Sequence, residues 1–178
     1  MMLGMRASRL THPMALLLAA LAGCAAGRPQ LSNSPALGRP VDVIAPDLLG
    51  VEQRVSDRTG QVRIVDFWAT WCEPCREQFA ILDRLSRTHQ ADGLIVYAVS
   101  VDEDLAQVRA FVESTPFPFL TLWDKGGARH AERLGIERLP TTLLVDRAGR
   151  VRFVHQGEPR ENAALLDREV RRLLTEPP

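Results

Sequence analysis

The sequence predicts a single α/β domain with a mixed central sheet flanked by helices, and three observations carry that expectation. Continuous apolar runs at Val62–Ala69 and Leu94–Val101 alternate with stretches in which apolar residues recur every three or four positions. Two later strand-like runs, Thr141–Val145 and Val151–His155, flank a tight Asp146-Arg147-Ala148-Gly149 turn. The length of 178 residues suits one domain with a short additional segment. The alternation implies parallel strands joined by crossover helices, with the hairpin adding an antiparallel edge.

Taken in order, the chain opens with a targeting pattern. Arg6 and Arg9 give a basic start, and Met14 to Ala22 form an apolar run too short to span a bilayer comfortably. The run ends in Leu21-Ala22-Gly23-Cys24. That box resembles the lipobox of bacterial lipoproteins, which implies cleavage before Cys24 and a lipid on its sulfur. The alternative is an ordinary signal peptide with an incidental cysteine. Residues 1–23 are therefore expected to be a signal peptide. Residues 24–40, rich in Gly, Pro, Ser and Ala, are expected to be a flexible tether from lipidated Cys24. The folded domain is expected over 41–178.

Within the domain, 47–56 has room for one or two short edge strands before an Asp57–Gly60 turn, and Val62–Ala69 reads as a buried strand. A helix is predicted from Cys72 to His89, with Phe79, Ile81, Leu82 and Leu85 supplying its apolar face. After the Leu94–Val101 strand, residues 104–114 read as a helix through Leu105, Val108, Phe111 and Val112, stopped by Pro116 and Pro118. Phe119–Trp123 is a third strand candidate, and 128–134 a short helix closed by Gly135. A last helix is predicted over Glu161–Leu174, with Leu166, Val170, Leu173 and Leu174 facing inward.

Composition narrows the function. Lys and Arg together number 22 and so do Asp and Glu. Lys125 is the only lysine, and the arginines are scattered, so no strong positive field is expected to gather nucleic acid. The chain has three cysteines, an odd number for an exported protein. Lipidation of Cys24 removes it from redox chemistry and leaves Cys72 and Cys75 as a pair, in a compartment where disulfides persist.

That pair lies in Trp71-Cys72-Glu73-Pro74-Cys75, where a buried strand turns into a helix. Unpaired backbone N–H groups and the macrodipole at a helix N-terminus favour a thiolate, so Cys72 is the expected nucleophile. Cys75 is about one turn on and can resolve a mixed disulfide. Pro74 is tolerated because the first helical turn has no N–H partner to lose. A zinc site would need two further ligands, and the sequence offers neither a second cysteine pair nor a His-x₃₋₅-His. A structural disulfide remains the alternative, although closing so short a loop stabilises little.

The stretch Val65-Asp66-Phe67-Trp68-Ala69-Thr70-Trp71-Cys72-Glu73-Pro74-Cys75 closely resembles the active-site segment of the thioredoxin-like superfamily, and Leu139-Pro140-Thr141-Thr142 resembles that family's cis-proline loop. The resemblance implies a thioredoxin fold. It also implies catalytic roles for Cys72, Cys75, Asp66 and Pro140, with Thr141 beside the proline. Extra residues around 102–122 form a central βα-type insert, and 41–60 an N-terminal extension. Both resemble the exported, membrane-tethered branch, which includes the thiol reductants of cytochrome c maturation and of oxidase copper-site assembly. The implied activity is a protein-disulfide oxidoreductase, a reductase of disulfides in exported proteins, with no cofactor. Its implied partners are disulfide-containing exported proteins such as apocytochrome c or oxidase assembly factors, a membrane electron donor, and the membrane itself through a lipid anchor. Its domain would lie on the periplasmic, extracytoplasmic side. The chain departs from that branch where relatives often carry Asn, Glu and Pro; here the residues are Asp66, Gln78 and Ala80. Other readings on the same fold are a copper-delivery binding module and a peroxiredoxin-like peroxidase. The first resembles Cys-x₃-Cys and the second Pro-x₃-Thr-x₂-Cys, whereas this chain has Cys-x₂-Cys.

Four side chains near the pair have expected roles. Asp66, buried under the cysteines, should have a raised pKa and could take the proton of Cys75. The alternative is a strand-end Asp bonded to backbone. Glu73 should oppose a thiolate at Cys72 and so favour electron donation, unless its charge is simply solvated. Trp71 is expected to shield the sulfurs and contribute to docking, and Trp68 to pack in the core.

Overall fold

The computed structural model describes residues 34–177. The signal-peptide reading, Cys24 and the first part of the expected tether lie outside them. Eleven strands and helices follow in order: β1 (Ile44–Pro46), β2 (Glu52–Arg54), β3 (Val62–Trp68), α1 (Glu73–His89), β4 (Leu94–Ser100), α2 (Leu105–Ser114), β5 (Leu120–Trp123), α3 (Ala131–Leu134), β6 (Thr141–Val145), β7 (Val151–Gln156) and α4 (Pro159–Thr175).

Strands β3 to β7 form one sheet in the order β5-β4-β3-β6-β7. Strands β3, β4 and β5 run parallel, and the β6–β7 hairpin joins antiparallel to β3. The hairpin thus supplies two of the five strands rather than a single edge. All seven residues of β3 are buried, which is why the sequence makes this run almost wholly apolar and places it at the centre. Its one cation, Arg63, donates through its two terminal nitrogens to the carbonyls of Val55 (3.2 Å) and Asp146 (2.8 Å), while its Nε has no partner among the described residues.

Side chains of β3 alternate between two cores, as strand geometry requires. Val62, Ile64 and Trp68 pack with residues of α1, α2 and α4, including Phe79, Val108 and Leu166. Val65 and Phe67 face the opposite core, built from Ala36, Val41, Val43, Val55 and the Ala131 and Leu134 side chains of α3. The 102–122 insert is α2 and β5, and β1 and β2 make a separate two-stranded hairpin. The mixed sheet between helices is the thioredoxin-like architecture that the sequence predicts.

Four boundaries differ from the sequence-based ones. Strand β1 lies ahead of the 47–56 window, which holds β2 alone, because the Asp47 carboxylate takes the N–H groups of Leu49 and Val51 and makes 47–51 the turn. Residues 34–40 are packed, not free: Ala36 is buried, Gly38 N–H donates to Val151 O (2.8 Å) and Val151 N–H to Arg39 O (2.9 Å). Ordered packing therefore begins ahead of residue 41. Helix α3 is shorter than the predicted 128–134. Gly126 and Gly127 have left-handed backbones, and the Asp124 carboxylate instead takes the N–H groups of Arg129, His130 and Ala131. Helix α4 starts at Pro159, two residues before the predicted Glu161, because proline suits a first helical turn. Among the described residues, no helix is long and apolar enough to cross a membrane.

Candidate active site

Cys72 and Cys75 are joined as a disulfide, with Cα atoms 5.4 Å apart. Cys72 caps the N-terminus of α1 in an extended conformation, and Pro74 sits in the first turn. The Cys75 N–H donates back to Cys72 O at 3.2 Å, so the pair spans one tight turn at the end of the helix dipole. This is the placement that lowers a thiol pKa once the disulfide is opened.

The loop leading into the pair is held by Asp102, a buried residue just past β4. Its carboxylate accepts Thr70 N–H (3.0 Å) and the Thr70 hydroxyl (2.7 Å), and also the Ser100 hydroxyl (2.8 Å). The Asp102 carbonyl in turn accepts Trp123 Nε1–H at 2.8 Å. Sequence reasoning missed both Asp102 and the role of Trp123. The available signal was a carboxylate at the C-terminal end of the parallel strand next to β3, where sites on open α/β sheets gather.

Asp66 lies in mid-β3 on the face shared with Ile64, Trp68 and Cys75, and it is fully buried. Its partner is a side chain, not backbone. Thr142 of β6, directly opposite in register, donates its hydroxyl to Asp66 Oδ1 at 2.6 Å. Asp66 Oδ2 has no hydrogen-bond partner among the described residues. Burial pushes the carboxyl up to about 8, and the Thr142 hydrogen bond pulls against that rise.

The Leu139–Pro140 peptide bond is cis, as the resemblance implied. Thr141 follows, opposite Phe67, and donates its hydroxyl to Arg138 O at 2.6 Å. Pro140 therefore stands at the end of β6 level with the end of β3, from which the cysteine loop emerges. Leu139, Cys72 and Trp71 line one groove of about 770 Å³, floored partly by Gly126 and Gly127. Trp71 is 71% exposed, whereas Trp68 is buried against Phe79 at a centroid distance of 4.9 Å. The sequence alone assigned nothing to the two glycines, whose left-handed backbones (φ +59° and +70°) bring the 126–127 turn against Glu103 and Ala131. Glu73, Glu132 and Glu137 also line the groove, against the single cation Arg138. Glu73 is exposed and pairs with Arg76 at 3.4 Å, which moderates its charge toward Cys72.

A family model described as Redoxin matches residues 37–170. The chain is 32% identical over 116 residues to the thiol-disulfide oxidoreductase ResA of Geobacillus thermodenitrificans, covering 65% of this chain and 66% of that one. It is 34% identical over 113 residues to the thioredoxin-like protein YneN of Bacillus subtilis, covering 62% and 65%. The chain thus spans about two thirds of the length of these curated relatives. It also resembles the crystal structure of a protein assigned as a thiol:disulfide interchange protein DsbE from Chlorobium tepidum. The TM-score is 0.73 at 29% identity, covering 78% of this chain and 97% of that one.

Proposed function

The chain belongs to the Redoxin family, and from that premise we propose that it is a thiol–disulfide oxidoreductase that reduces disulfides in exported proteins. The observation that carries this reading is the Cys72–Cys75 disulfide at the N-terminus of α1, opening beside a groove of mixed apolar and acidic lining with Trp71 exposed at its edge.

In the reductive direction the Cys72 thiolate attacks one sulfur of a substrate disulfide. A Cys72–substrate disulfide forms, and the substrate's own S–S bond breaks to release a thiolate. Asp66 takes the proton of Cys75, and the Cys75 thiolate attacks Cys72 Sγ. The Cys72–Cys75 disulfide closes and the second substrate sulfur leaves reduced. Two electrons have moved to the substrate, and a dithiol donor at the membrane restores the pair. The Leu139-Pro140-Thr141 backbone beside Cys72 provides the surface along which an extended substrate segment lies. Apocytochrome c and oxidase assembly factors are substrates of the right chemistry, since both present cysteine pairs outside the cytoplasm. Lipid attached at Cys24, on the evidence of the Leu-Ala-Gly-Cys box, would keep the domain at the extracytoplasmic membrane surface.

The test is the reduction potential of the pair, measured by equilibration with a dithiol buffer. A value near or below roughly −250 mV, around that of thioredoxin, fits a reductant. A value near about −120 mV would make the protein a disulfide donor instead. In parallel, Cys75→Ser should accumulate a mixed disulfide with substrate, and Cys72→Ser should form none.

A further inference from the structure

Gln78 is a long polar side chain sealed inside the apolar face of α1, one turn beyond Cys75 and 3% exposed. The dithiol cycle gives it no task. Its amide is nevertheless engaged: Nε2–H donates to Thr142 Oγ1 at 2.8 Å. That hydroxyl is the one that donates to Asp66 Oδ1 at 2.6 Å. A hydroxyl has one proton to give. With the Gln78 N–H occupying a lone pair of Thr142, that proton is committed to Asp66, and the donated bond polarises the hydroxyl further.

We propose that Gln78 is a positioning residue for the proton transfer: through Thr142 it holds a hydrogen bond on Asp66 Oδ1 and leaves Oδ2 as the oxygen that takes the proton of Cys75. The proposal rests on the reading of Asp66 as the base in the resolution step. The unpartnered Oδ2 and the paired Oδ1 are the two halves of one arrangement. Elements packed around Asp66 add few other ionisable groups. Cys75 comes from α1. His155 of β7 lies opposite Thr142 and is bonded to Glu169 of α4 at 2.6 Å. The neighbouring residue on β4 is Ala98. Burial and the Thr142 hydroxyl are the influences that set the Asp66 proton affinity, with no charged neighbour among them. A glutamate in place of Gln78 would reverse the network, because an ionised carboxylate only accepts and would draw the Thr142 proton away from Asp66.

The experiment is the pH profile of the resolution step, read as decay of a 5-thio-2-nitrobenzoate mixed disulfide on Cys72 in the full chain. Gln78→Glu and Thr142→Val should move the midpoint upward by about one pH unit and slow resolution at neutral pH by about tenfold. Gln78→Leu should move it in the same direction by less. Thr142→Ser keeps the hydroxyl and should keep the wild-type midpoint. A Gln78→Leu or Gln78→Glu midpoint equal to wild type, while Asp66→Asn flattens the profile, overturns the positioning role and leaves the base reading standing. An Asp66→Asn profile equal to wild type overturns both. A Thr142→Ser midpoint that shifts like Thr142→Val also counts against the network, since it would trace the effect to lost packing.

Discussion

Asp66 sits where folding and chemistry ask for opposite things. Its carboxyl titrates at about 8 in the folded chain against an ordinary value of 3.8. Well below pH 4 it is protonated in both states and contributes no pH dependence. Above that, the unfolded chain releases the proton while the folded chain keeps it, so the unfolded state gains and stability falls as pH rises, levelling above pH 8. Each pH unit in the window costs about 1.4 kcal/mol, so the deficit at pH 7 is on the order of 4 kcal/mol. Asp66→Asn should therefore be more stable than the parent by up to that amount at neutral pH, with the gap closing toward pH 4. Denaturant melts of the oxidised protein at both ends of the window check this; a gap that does not change with pH would mean that Asp66 is not the titrating group. The same substitution should slow Cys75 resolution by about 10²-fold or more, since general-base assistance is worth about that much. Asp66 was legible as one acid inside an apolar run. Thr142 as its partner was not, because only the β3–β6 register sets the two residues opposite each other.

At the scale of elements, α1 is both the core of one layer and the mount of the redox pair. Phe79 on its buried face lies 4.9 Å from Trp68, 4.7 Å from Phe117 and 5.8 Å from Phe119, centroid to centroid. The helix-period pattern announced this face, and the predicted strands and helices fall within one or two residues of those observed wherever apolar periodicity is strong. Where glycine geometry and side-chain caps decide, at α3, periodicity had nothing to read. The bracing of the cysteine loop was invisible for a similar reason: Asp102 and Thr70 are 32 positions apart and meet only because β3 and β4 are adjacent and parallel. Asp102→Ala should leave the Thr70 and Ser100 donors without their partner, at about 1–3 kcal/mol for each one that stays dry. A urea melt reads that loss. Faster reaction of reduced Cys72 with a bulky thiol reagent would show that the loop has loosened. Stability equal to wild type would show that water replaces the carboxylate and that the brace is dispensable.

Seen as a whole molecule, the sheet has helices α1, α2 and α4 over one face, while the other face is covered by the N-terminal extension and α3. The second covering explains why the extension is not a simple spacer. Ala36, Val41, Val43, Ala45 and Val55 bury side chains there. Residues 38–41 also exchange backbone hydrogen bonds with the β6–β7 hairpin, at Val151 O, Gly149 O and Val151 N. Glycine, proline and serine content made 24–40 read as tether, because composition reports conformational freedom and not the hairpin backbone that 38–41 meets in space. A domain cut to begin at Ser34 should therefore be more stable than one cut to begin at Asp42. Three backbone hydrogen bonds and the buried Val41 and Ala36 side chains are lost in the shorter form, about 2–5 kcal/mol after the exposed groups find water. The cysteine pair packs with the other core, so the reduction potential should be the same in both forms. Equal unfolding midpoints would return residues 34–40 to the role of a tether. A lower midpoint in the shorter form with an unchanged potential would place the start of the folded domain at or before Ser34.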